Sequence, residues 1–231
     1  TERMDRVRAA LRAQGLTQMI VCDPKSVWYL TGVAVEPYER LLALYLPTEG
    51  EPVLFLNRLF NVPEPPCRTV WHTDTDKPVA QIAEVVDAGR PLGIDKEWPA
   101  KFLIPLMETH PGMQVVLSSD CVDDCRACKD AEEQALMREA SRINDAVNEA
   151  AKHYIKAGMT EREVAEFIDA QFRAHGCEEP SFTTIVSFGA NAADPHHEPD
   201  DTVLKEGDCV LFDMGCVKSR YCSDMTRTWF C

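Results

Sequence analysis

Residues 210–230, VLFDMGCVKSRYCSDMTRTWF, hold two strand-like runs, each rich in apolar residues and each carrying one aspartate, Asp213 and Asp224. The polar break at 218–220 between them is the signature of a hairpin. Strands over 209–215 and 221–230, folded about the Lys218/Ser219 midpoint, place Asp213 directly opposite Asp224. Alternation then puts Leu211, Asp213, Cys222, Asp224, Thr226 and Thr228 on one face, with Phe212, Met214, Met225, Arg227 and Trp229 on the other.

Two carboxylates side by side on adjacent strands repel, and drawing them out of water adds to the cost. Three things compensate such a pair: a shared proton, a basic side chain or a divalent cation. Arg227 is the nearest base, but its parity points it to the opposite face. The threonines on the acid face suit the surroundings of an ion, so a metal accounts best for the pattern. Spacing alone leaves a second reading open, in which the register differs and both aspartates are solvated at strand ends.

Upstream of the hairpin, "SFTTIVSFG" opens a run of antiparallel strands and loops, and two helices precede it. Leu136, Ala140, Ile143, Val147, Ala150 and Tyr154 form a helical stripe that Gly158 ends. Thr160 and Glu163 make a capping box for the next helix, which has Val164, Ile168 and Phe172 as its apolar face and Gly176 as its stop. Helices and hairpins are therefore segregated, as in an α+β domain.

The first half mixes elements throughout. A helix over 2–14 with Met4, Val7 and Leu11 on one face leads to the strand "TQMIVC" and the segment "KSVWYLTG". "ERLLALYLPTEGEPVLFL" reads as a hairpin turning at Gly50 and Pro52, and the helices "PVAQIAEVVDAG" and "PAKFLIPLMETH" alternate with short strands around Ile94 and in "MQVVLSS". The expected organisation is an α/β domain over 1–122 and an α+β domain over 123–231.

The sequence of 231 residues is 45% hydrophobic, enough for sizeable cores. Its 38 acidic against 24 basic residues give a formal charge of −14, which repels phosphate backbones and anionic membrane surfaces and disfavours a nucleic-acid or membrane partner. No apolar run reaches membrane-spanning length, and the amphipathic, acid-bearing N-terminus is unlike a secretion signal, so a cytoplasmic location is expected. Ten irregularly spaced cysteines then read as reduced thiols. Cys121, Cys125 and Cys128 have a C-x3-C-x2-C spacing like that of a cluster-binding loop, but the barrel pattern that accompanies such loops is missing.

The run "IVSFGANAADPHHEPDDTVLKEGDCVLFDMG" followed by "YCSDMTRTWF" resembles the pita-bread metallopeptidases, which include prolidase, aminopeptidase P and methionine aminopeptidase. The likeness is nearest to the Xaa-Pro dipeptidase and aminopeptidase P branch. "RACKDAEEQALMREASRINDAV" is similar to the first helix of that catalytic domain, and the first half is similar to the creatinase N-terminal domain. The resemblance implies a creatinase-like α/β N-terminal domain followed by part of an α+β pita-bread domain. By position, Asp213 matches an aspartate that chelates one metal ion, Asp224 the aspartate that bridges two, and His196 an active-site histidine outside the metal shell. His197, its neighbour, is expected to be a loop residue without a task, because adjacent side chains in an extended loop diverge. His72, His110, His153 and His175 are expected to be structural or on the surface.

The implied chemistry is hydrolysis of Xaa-Pro bonds in dipeptides or at peptide N-termini by water activated between two divalent ions. Oxygen and imidazole ligands suit Mn2+, with Co2+ or Zn2+ able to substitute. The partner is a peptide, and the family implies a homodimer. The family's centre has five ligands, and a histidine and two glutamates follow the aspartates on later strands. With the sequence ending at Cys231, the expectation is a partial site and a chain inactive as a peptidase alone. Two other classes remain, a non-catalytic peptide-binding module and a metal-free creatinase-like hydrolase. Asp213, Asp224 and His196 speak against the first, which has no need of them, and the two aspartates speak against the second, because a metal rationalises them.

Overall fold

The first half becomes an α/β layer because its strands are apolar on both faces. The computed structural model, which describes residues 1–231, divides into two compact units, Thr1–Cys128 and Lys129–Cys231. In the first unit β1 (Gln18–Val21), β2 (Ala43–Pro47) and β3 (Val53–Asn57) are buried along their whole length. Strands covered on both faces read in just this way, as continuous apolar runs. With β4 (Arg68–His72), β5 (Leu92–Ile94) and β6 (Val115–Leu117) they form a six-stranded sheet in the order β4-β3-β2-β1-β5-β6. β2 and β3 are the expected hairpin, with Leu44 opposite Leu54.

Alternation along these strands feeds two cores. Met19, Val21, Leu44, Leu46 and Leu54 pack with Met4, Val7 and Leu11 of α1 (Glu2–Ala13) and with Val27 and Leu30 of α2 (Pro24–Thr31). Ile20, Ala43, Tyr45 and Phe55, on the other face, pack with Ile82 of α3 (Pro78–Ala83) and Leu106 of α4 (Ala100–Thr109). The polar stretch after β6 folds as a further helix, α5 (Asp120–Ala127). Its short apolar face of Cys121, Val122 and Cys125 is buried in the first core, while Cys128 is exposed beyond its end. The C-x3-C spacing is thus one turn of a helix face. All ten cysteines are free thiols.

The second unit begins with α6 (Ala131–Tyr154), capped by a reciprocal Asp130–Glu133 box, and α7 (Glu161–Ala174), capped by the expected Thr160–Glu163 box. Val164, Ile168 and Phe172 pack with Val147 and Ala151 of α6 and with Val186, Phe212 and Met214 from the strands. Buried Asn144 and Asn148 also lie on the inner stripe of α6. Asn144 donates from Nδ2 to the carbonyl of Met214 at 3.0 Å, which ties the helix to the sheet.

Six strands form two three-stranded sheets: β12 (Met225–Phe230), β9 (Cys209–Met214) and β8 (Ile185–Phe188) in one, β11 (Tyr221–Cys222), β10 (Cys216–Lys218) and β7 (Glu179–Pro180) in the other. The hairpin is present, but its register differs from the expected one. Lys218 pairs with Tyr221, which leaves a two-residue turn of Ser219 and Arg220 at φ 50° and 66°. The opposition of Asp213 to Asp224 is therefore overturned: Asp213 pairs with Thr226, and Met214 with Met225. A two-residue turn with both residues left-handed matches strand twist, and that conformation moves the fold point by one residue. Because the shift between strands is two residues, the division of faces survives. Phe212 and Met214 are buried, and Thr226 and Thr228 are exposed. No helix is long and apolar enough to cross a membrane.

Candidate metal centre

Each expected strand breaks in the middle, and the break positions the acids. β9 gives way to β10 at Gly215, and β11 to β12 at Ser223 and Asp224. The register runs on through the break, with the Ser223 amide donating to the Cys216 carbonyl at 2.9 Å and the Cys216 amide donating to Ser223 Oγ at 3.1 Å. Asp224 consequently stands across from Gly215 and diagonal to Asp213. A Cβ on Gly215 would lie 2.0 Å from the Ser223 carbonyl oxygen and 2.3 Å from Ser181 Oγ. Only glycine lets the two backbones approach this closely. Ser181 fastens the crossing, its amide donating to the Gly215 carbonyl at 3.1 Å and its hydroxyl to the Ser223 carbonyl at 2.8 Å.

Asp213 lies in the central strand of its sheet, between Ile185 of β8 and Thr226 of β12. Its Oδ1 accepts one hydrogen bond, from Thr226 Oγ1 at 2.8 Å. Arg227, the nearest base in sequence, donates to the Thr226 carbonyl instead. Asp224 is exposed and takes no donor from the protein. Two carboxylates on one side of a hairpin, with no cation bonded to either, offer the hard oxygen donors that a divalent ion takes. The residues present therefore fit a metal, and Asp213 and Asp224 would hold it.

His196 sits on the loop after the 3-10 turn Gly189–Ala193 that follows β8. Its amide donates to Asp194 Oδ1 at 2.9 Å, and its exposed imidazole bonds to neither aspartate. The register thus sets Asp213 and Asp224 on one side of the hairpin, and His196 stands on a separate loop. Its neighbour His197 is not the idle residue expected. His197 turns inward, with Nε2 2.6 Å from Oε2 of Glu161, a residue with no exposed surface. The remaining histidines hold backbone: buried His72 meets the Leu41 carbonyl, His110 the Ala83 carbonyl, and exposed His153 and His175 the carbonyls four residues earlier.

Glu161 went unnoticed in the sequence. An acid in the first turn of a helix is ordinarily a solvated partner of the helix dipole, and that reading hides a buried one. Beside it, Asp200 is held below the usual carboxylate range by hydrogen bonds from the Thr202 hydroxyl and amide.

With the fold and this geometry in hand, comparison with known proteins defines the class. Residues 3–128 match the creatinase/prolidase N-terminal domain, and residues 135–231 match metallopeptidase family M24. The chain belongs to metallopeptidase family M24, in the group that carries a creatinase/prolidase N-terminal domain. An uncharacterized peptidase of Staphylococcus epidermidis is 31% identical over 226 residues, covering 96% of this chain and 64% of the relative. The crystal structure of the dipeptidase PepE from Mycobacterium ulcerans is 29% identical and superposes with a TM-score of 0.88, covering 99% of this chain and 64% of that one. A prolidase from Thermococcus sibiricus gives 29% identity and a TM-score of 0.85, covering 98% and 64%. The chain thus spans 64% of the length of each of these proteins.

Proposed function

We propose that this sequence supplies the N-terminal domain and the first two metal ligands of an exopeptidase that cleaves Xaa-Pro bonds of dipeptides or peptide N-termini. The observation that carries the reading is the pair Asp213 and Asp224, set on one side of the hairpin by the glycine crossing at Gly215. The dipeptidase and prolidase among the similar structures support the substrate class.

In this reading Asp213 and Asp224 would hold the divalent ions, with Mn2+ best suited to the donors and Co2+ or Zn2+ able to substitute. When bound, the ions would lower the pKa of water and polarise the scissile carbonyl. The chain's own residues orient the site. Thr226 steadies the Asp213 carboxylate, Gly215 and Ser181 set the height of Asp224, and His196 binds substrate or moves a proton. Two carboxylates alone leave most positions on an ion to water, so the 231-residue chain is inactive by itself in this reading. The native enzyme is a homodimer in the cytoplasm, a placement that ten free cysteines support.

The test is Mn2+-dependent hydrolysis of Xaa-Pro dipeptides by the protein isolated from its source, together with its intact mass. Cleavage by a protein heavier than 25.9 kDa is expected. No cleavage of any Xaa-Pro substrate with metal present would sink the reading, and cleavage by the 231-residue chain alone would sink the claim of inactivity.

A further inference from the structure

Glu161 lies 36 residues before His197, and its carboxylate is filled on both oxygens. Oε1 accepts from the Phe188 amide at 2.7 Å and from Asn191 Nδ2 at 2.9 Å. Oε2 accepts from the Asp200 amide at 3.1 Å and faces His197 Nε2 at 2.6 Å. Three N–H groups already point at this carboxylate, and the tautomer that completes the set carries its proton on His197 Nε2. The Glu161 amide in turn donates to the Thr202 carbonyl at 3.1 Å, and that of Arg162 to the Asp200 carbonyl at 3.1 Å. The first turn of α7 therefore grips the chain at Phe188, Asn191, His197, Asp200 and Thr202, the segment on which His196 rides.

Ligand atoms of Glu161, His197 and Asp200 also lie within 4.8 Å of one another, the spacing of a metal site. A cation there would have to displace N–H donors already seated on Glu161. The cluster closes on itself as a hydrogen-bonded clamp.

We propose that His197 is the positioning residue for His196: by turning inward to Glu161 it fixes the loop and forces the adjacent imidazole outward, toward substrate. His196 sits in a turn that the His197 amide closes on the Asp194 carbonyl at 3.3 Å, so anchoring His197 fixes the backbone from which the His196 side chain projects. The inference rests on the reading that His196 works on a peptide. Of the two consecutive histidines, one is exposed for chemistry and the other, half-buried, holds it.

The test compares wild type with His197→Ala and with His197→Gln, whose amide nitrogen can reach the position of Nε2. In wild type, 15N-histidine NMR should show a slowly exchanging Nε2 proton on His197. In H197A, hydrogen exchange at the Asp200 amide should rise at least about tenfold while Ala151 in α6 is unchanged, and H197Q should restore most of the protection. In the native peptidase, H197A should lower kcat about tenfold, with KM and Mn2+ content within about twofold, and H197Q should recover kcat. Unchanged exchange at Asp200, or a kcat that survives loss of protection, would overturn the inference while leaving the functional reading intact. One equivalent of Zn2+ bound at neutral pH and lost in H197A would make these residues ligands and overturn it too. Should H197A not fold, the lack of a protected Nε2 proton in wild type is decisive against it. Failure of the wild type to cleave any Xaa-Pro substrate removes the functional reading and, with it, the role assigned to His196.

Discussion

At the scale of single residues, the proposed centre rests on two carboxylates and the glycine between them. If Asp224 is a ligand as proposed, Asp224→Asn, which removes its carboxylate charge, is expected to abolish binding of two metals in the native protein; unchanged stoichiometry by metal analysis would strike Asp224 from the ligands. His196→Ala should instead lower kcat on the order of a hundredfold with metal content nearly intact, the scale of a lost proton-transfer group. Gly215→Ala is a different kind of change. Its Cβ would meet the Ser223 carbonyl oxygen at 2.0 Å, so backbone must move. A loss of about 2 kcal/mol or more in thermal or denaturant unfolding is expected, with weakened metal binding because Asp224 moves with Ser223. Strand parity in the sequence already puts Asp213 and Asp224 on one side of the hairpin, and the register agrees. Glu161 cannot be read in the same way, since nothing in "GMTEREVAEF" tells a buried acid from the solvated acids beside it.

Among the elements, α7 was the most legible. Its capping box, apolar face and terminating glycine are all local, and all are present in the structure. Thr160 Oγ1 accepts from the Glu163 amide at 3.2 Å. Thr160→Ala should cost about 1 kcal/mol, read as a lower unfolding midpoint, with Thr160→Ser close to wild type. The end of β4 makes a second case. Asp74 accepts two hydrogen bonds from Arg40 and one from Asn57, and the Arg40 bonds, followed by that of Asn57, hold its carboxyl below the ordinary 3.8. A pKa lowered by folding stabilises the native state above the unfolded value, and that contribution fades as pH falls through the folded one. The destabilisation of Asp74→Asn should accordingly be present at neutral pH and disappear in acid, below 3.8. A difference from wild type that is constant from neutral to acid pH would contradict this. Neither β4 nor α5 is legible in the sequence, β4 because "RTVWH" is a short, partly buried edge strand, and α5 because three apolar residues among acids look like a loop until a neighbouring helix covers them.

For the whole molecule, the thiols report the packing of both units in one measurement. Cys128, Cys222 and Cys231 are exposed, Cys67 and Cys209 are half-buried, and Cys22, Cys121, Cys125, Cys177 and Cys216 are buried. Burial, with a hydrogen bond to Cys216, pushes the Cys177 thiol up to about 12, and burial likewise raises Cys121 and Cys125. Thiolate is the reacting form, so these groups should be inert at neutral pH. Titration of the native chain with an aromatic disulfide should consume three thiols quickly, and all ten in denaturant. Rapid reaction of Cys121 or Cys125 would mean that α5 does not pack as described.

What the sequence determined by itself was whatever depends on neighbours along the chain. The α/β first half came from its doubly apolar strands, the helices of the second unit from their caps and periodicity, and the common side of Asp213 and Asp224 from parity, which a two-residue shift of register leaves unchanged. Tertiary structure decided the register itself, because Ser219 and Arg220 adopt left-handed backbone that their residue types do not announce. It also decided which of two adjacent histidines turns inward. His197 reaches a wholly enclosed carboxylate 36 residues earlier, and a bond made across that distance leaves no periodic trace in the residues at either end.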